Sequence, residues 1–94
     1  MLSRPTRLKS QDFGRRLRET RKRRGWDIID TAERCGMSPT TLKLLEKGDP
    51  SVGWGFYLAV LELFGIISEL DGLCHAHRDI RHQLGKGPRF DADL

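Results

Sequence analysis

The side chains best suited to chemistry in this sequence are cationic. Arg15, Arg16 and Arg18, followed by the run Arg21-Lys22-Arg23-Arg24, crowd the N-terminal part of the chain. Guanidinium and ammonium groups at this density either neutralise a polyanion or form a solvated helix face. Their placement is lopsided. Residues 1–47 carry 13 Lys and Arg against 6 Asp and Glu, a net of +7, and residues 48–94 carry 4 against 7, a net of −3. A basic front half and a mildly acidic, apolar back half suggest a polyanion-binding face joined to a protein-contacting one.

Other chemistries find less support. Cys74, His75, His77 and His82 lack a second ligand pair at finger-like spacing, so no metal is expected. Cys35 and Cys74 alone do not make a disulfide framework. Gly85-Lys86-Gly87 is too short for a phosphate-binding loop and no strand precedes it. Asp49 and Glu62 have no nearby partner for acid–base work, and no nucleophile has an evident base. The expectation is a protein with no catalytic site and no cofactor.

The elements that must position the cations read as helical throughout. With 94 residues, 37% hydrophobic and 32% charged, the chain has room for one domain and a small core. Phe13 and Leu17, four apart, predict a first helix from Ser10 or Gln11 to Arg24, with Gly25 ending it and Trp26 packing inward. Asp27 caps a second helix over 28–35, with Asp30 completing an imperfect capping box. Ser38, with Pro39 at the favoured first position, starts a third helix to about Lys47. An apolar fourth helix is expected over 52–64, and a short fifth from Ile67 to His75 or His77. The expected organisation is a basic N-terminal arm over 1–9, a domain over 10–77 and a polar tail over 78–94. The longest apolar run, 58–70, is broken by Glu62, Gly65 and Glu69, so no membrane span is expected. The first five residues lack the apolar stretch of a signal peptide, which suggests a cytoplasmic protein.

Two short helices joined by Gly36-Met37-Ser38 have the form of a helix-turn-helix. The glycine permits the left-handed turn, Met37 pins the turn to the core, and the serine opens the next helix. The second helix can then project its N-terminal end into a major groove.

FGRRLR at 13–18, RGW at 24–26, AERCGMS at 32–38 and TLKLLEKG at 41–48 together resemble the XRE or Cro/repressor-type helix-turn-helix family. GDPSV at 48–52 followed by LAVLELFG at 58–65 resembles its HipB-like antitoxin branch. The resemblance covers about residues 13–73. It implies an all-α, five-helix repressor-type domain that binds a duplex operator as a homodimer. A HipA-like kinase toxin is the partner the antitoxin branch implies. A phage-type or housekeeping regulator without a toxin is the nearest alternative. A protein-interaction module with a degenerate helix-turn-helix comes next.

Residue by residue, the resemblance implies that Arg21 and Glu46 pair inside the domain. It places Ser38, Pro39, Thr40, Thr41, Lys43 and Leu44 where bases and phosphates are met, with Lys47 and Arg16 as further DNA contacts. Ile28 stands where the family usually has a phosphate-touching glutamine, and Pro39 and Leu44 replace polar groups at reading positions. Leu44 could meet a thymine methyl or belong to a protein interface. Thr31 replaces a core leucine, so Ile28 or Ile29 is expected to turn inward. Most of Trp54, Phe56, Tyr57, Leu58, Leu61, Phe64 and Ile66 is expected in the core. The surplus apolar surface at Ile66, Ile67, Leu70 and Leu73 is expected at a twofold interface.

Overall fold

The computed structural model describes residues 1–74. Four α-helices follow one another: α1 Arg4–Arg23, α2 Ile28–Arg34, α3 Pro39–Glu46 and α4 Trp54–Phe64, and a short 3-10 helix spans Ile67–Gly72. Among the described residues there is no strand. The expected C-terminal tail and His75, His77, His82 and Gly85 to Gly87 lie outside these residues.

Each start has a local cause. The Ser3 side chain accepts a hydrogen bond from the Thr6 N–H and a proline sits in the first turn of α1. The Asp27 side chain accepts from the Asp30 N–H, and the Ser38 side chain from the Thr41 N–H. The basic arm expected over 1–9 is therefore not an arm. From Arg4 on it is the first two turns of α1, because Ser3 and Pro5 supply the same start signal as Ser38 and Pro39. The fifth helix is correspondingly shorter than expected and of the tighter 3-10 type.

The core is built by Leu17, Ala32, Leu42, Leu45, Tyr57, Val60, Leu61 and Phe64. Tyr57, Val60, Leu61 and Phe64 recur at the spacing of one helix face, so α4 lays a single stripe on the other helices. Of the apolar set expected mostly in the core, Tyr57, Leu61 and Phe64 are buried, whereas Trp54 and Phe56 stand off that stripe and are exposed. Thr31 is fully buried and its Oγ1 has no hydrogen-bond partner. Ile28 packs against the core beside it, while Ile29 is 66% exposed.

α1 and α3 touch through backbone. A Cβ added to Gly14 would lie 2.7 Å from the Leu45 carbonyl oxygen and 2.8 Å from that of Glu46, and closer still to the Gly48 nitrogen. Gly48 has φ +72°, and a side chain there would overlap the Ser10 carbonyl. The Ser10 hydroxyl donates to the Gly48 carbonyl at 2.5 Å. Glycine at both positions lets the long first helix lie directly on the end of α3.

Candidate nucleic-acid interface

α3 is short, and its orientation depends on ties to its neighbours. At its C-terminal end Glu46 is buried with Arg21 of α1, their side chains only 5% and 9% exposed. Arg21 Nε donates to Glu46 Oε2 at 2.7 Å and Nη2 donates to Oε1 at 3.1 Å. Arg21 Nη1 donates to the Trp26 carbonyl at 2.8 Å, which ties the α1–α2 turn into the same cluster. The two-point geometry of a guanidinium on a carboxylate fixes direction as well as distance. At its N-terminal end Met37 packs partly against the core and holds the turn from α2.

With those ends fixed, Thr40, Lys43, Leu44 and Lys47 fall on one exposed face. Pro39 is exposed at its start. The hydroxyls divide the work. Ser38 Oγ caps the Thr41 N–H at 3.1 Å and donates to Thr41 Oγ1 at 3.0 Å, so both of these side chains serve the start of the helix. Thr40 has no such engagement among the described residues and is exposed on the same face. Leu44, 38% exposed, puts an apolar group between the two lysines.

A cleft of about 420 Å³ opens beside this face, lined by Arg18, Arg21, Asp27, Ile28, Lys43, Glu46 and Lys47. Ile28 gives it an apolar wall where the resembled family usually has a glutamine. Arg18, Lys43 and Lys47 have no ion pair among the described residues and outnumber the one unpaired carboxylate in the lining, Asp27, so the cleft is net positive. Two neighbouring cations, Arg15 and Arg24, are otherwise engaged. Arg15 pairs with Asp12 and, at 2.7 Å, with Glu19, and its hydrogen bond holds the Asp12 carboxyl below the usual carboxylate range. Arg24 lies over the Trp26 and Phe64 rings and donates to the Phe64 carbonyl at 2.9 Å.

Arg16, expected among the contacts, does not line the cleft. Its guanidinium lies 3.6 Å from the Asp12 carboxylate on another face of α1. Arg18, which the sequence does not single out as a contact, lines the cleft instead. It follows Gly14 by one turn, and Gly14 marks the side of α1 that meets α3. The expected interface residues also separate. Ile66 and Leu70 pack partly against the core, while Ile67 and Leu73 are exposed.

Among the described residues no group of three or more His, Cys, Asp or Glu side chains could hold a metal ion, and no helix is long and apolar enough to cross a membrane. A family model described as a helix-turn-helix domain matches residues 12–71. No curated protein and no solved structure matches the chain.

Proposed function

The chain belongs to the helix-turn-helix domain family, and on that premise we propose that it is a sequence-specific transcriptional repressor of the HipB-like antitoxin type. The observation that carries the DNA-binding part is the face of Thr40, Lys43, Leu44 and Lys47, held rigid by the buried Arg21–Glu46 pair and flanked by Arg18. In this reading the N-terminal end of α3 enters the major groove, where Thr40 bonds a base edge or phosphate and Leu44 packs on a thymine methyl. Lys43, Lys47 and Arg18 neutralise phosphates along the groove walls, which supplies most of the affinity.

A homodimer would set two such helices about one duplex turn apart, roughly 34–36 Å, on an inverted repeat, and so occlude a promoter. Exposed apolar groups at Ile67 and Leu73 support a twofold contact through the back half. The antitoxin role rests on the resemblance of residues 48–52 and 58–65, and its partner would be a HipA-like kinase toxin in the cytoplasm.

Gel retardation on the DNA upstream of its own gene tests the reading. A retarded band, competed by that DNA and not by unrelated duplex, is expected. Equal retardation of any duplex would leave a non-specific binder, and no retardation at all would favour a protein-interaction module.

A further inference from the structure

α1 begins eight residues before the span that the helix-turn-helix family model matches. Residues 4–11 lie outside the matched span, and they carry Arg4, Arg7 and Lys9 without a single carboxylate. This segment is not a loose basic arm, since the Ser3 cap and Pro5 make it continuous with the helix that lies on α3.

Arg4, Arg7, Gln11 and Arg18 follow one another at helical spacing along the side of α1 that carries Gly14, the point of contact with α3. A second cleft, of about 300 Å³, opens there. It is lined by Arg7, Gln11, Lys47, Gly48, Asp49 and Pro50. Lys47 lines this cleft and the one beside Lys43, so the two are neighbours sharing a wall. Asp49 is the carboxylate lining it, and its Oδ1 is already occupied by the Ser51 N–H at 2.8 Å and the Ser51 hydroxyl at 2.7 Å. Arg7 Nη1 donates to the Leu2 carbonyl at 2.9 Å, which anchors the guanidinium and leaves its remaining N–H groups to the cleft. Arg7 and Lys47 outweigh the one Asp49 carboxylate, so the cleft is net positive, with the Gln11 amide beside them. The Ser10–Gly48 hydrogen bond and the backbone contact at Gly48 hold the walls at fixed separation.

We propose that the cleft between the first turns of α1 and the end of α3 takes a phosphodiester group of duplex DNA, bound by Arg7, Gln11 and Lys47. This rests on the DNA-binding reading above and adds a contact outside the family span. The geometry agrees with the dimensions of the duplex. Seven residues of helix separate Thr40 from Lys47, about 10 Å of rise, close to the roughly 12 Å width of the major groove. With the Thr40 end among the bases, the Lys47 end reaches the backbone at the edge of the groove. A planar guanidinium on a continuous helix is well suited to meet a phosphate there.

The test is a salt titration of binding to a fluorescein-labelled duplex of random sequence, about 30 base pairs long so that the site is fully covered. Wild type is compared with Arg7→Gln, with Arg4→Gln/Arg7→Gln, and with Arg23→Gln as a charge control on another face of α1. Glutamine keeps the helix propensity of arginine, and circular dichroism confirms helix content. Arg7→Gln is expected to flatten the slope of log affinity against log salt by about 0.9. The fall in affinity between about 50 and 200 mM salt then becomes about 3.5-fold smaller. Arg23→Gln is expected to leave the slope unchanged. A slope for Arg7→Gln equal to that of wild type overturns the proposal, and so does an equal flattening by Arg23→Gln, which would reflect net charge alone. A wild type that binds no duplex would instead defeat the DNA-binding reading on which the proposal stands.

Discussion

Arg21 and Glu46 stand 25 positions apart in sequence and meet through two hydrogen bonds, at 2.7 and 3.1 Å, in the interior between α1 and α3. The pair acts with the buried Leu42 and Leu45 and the Gly14 backbone contact to set how the exposed face of the eight-residue α3 is presented.

Glu46→Ala should therefore be costly. Removing the carboxylate leaves a buried guanidinium with only the Trp26 carbonyl as partner. The expected loss is about 3–5 kcal/mol, as for other buried pairs broken on one side. Urea denaturation measures it. A loss under about 1 kcal/mol, the range of exposed pairs, would mean that the pair does not hold the domain together.

Gly14→Ala separates two opposing effects at one site. In an exposed helix interior alanine is favoured over glycine by about 1 kcal/mol. Here the new methyl would meet the backbone of Leu45, Glu46 and Gly48, which no rotamer change can move aside. Overpacking of this kind costs about 1–3 kcal/mol or more, so the net effect is destabilising. A raised melting temperature in the variant would contradict the contact.

Thr31→Val should go the other way. The Thr31 hydroxyl is buried without a partner, and valine fills nearly the same volume. Removing an unsatisfied buried hydroxyl is expected to stabilise by about 1 kcal/mol. A destabilised variant would indicate that the hydroxyl is bonded in solution.

The two thiols should differ in reactivity. Burial pushes the Cys35 thiol above its ordinary value, whereas Cys74 is exposed. The thiolate is the reactive form, so at pH 8 iodoacetamide should modify Cys74 first. Because the Cys35 value is raised, its rate should keep rising at pH values where an ordinary thiol has levelled off. Equal rates for the two cysteines at pH 8 would show that Cys35 is not protected.

Much of this was legible in the sequence because it rests on local chemistry. Ser38 and Pro39 start α3, Asp27 starts α2, and the glycine turns between helices need no tertiary contact to be recognised. The early start of α1 carried the same signal at Ser3 and Pro5, but residues 4–12 hold only Leu8 as a large apolar group. Apolar periodicity, which guided the reading, is silent there. The choice between Arg16 and Arg18 depends on which side of α1 faces α3. That side is set by the backbone contact of Gly14 with Leu45, Glu46 and Gly48, which spacing alone does not reveal. Apolar character alone does not say which residues close the core. Trp54 and Phe56 fall off the α4 stripe and are exposed, while Ile66 and Leu70 pack partly against the core.

The central claim is that the exposed face of α3 carries duplex DNA. Its most direct test is the salt dependence of binding to the DNA upstream of the gene, for wild type and for Lys43→Gln/Lys47→Gln. Both lysines are exposed, so the folded state should survive the change. If each neutralises one phosphate, the slope of log affinity against log salt should flatten by about 1.8. An unchanged slope and an unchanged affinity would mean that DNA is bound elsewhere on the molecule or not through this helix.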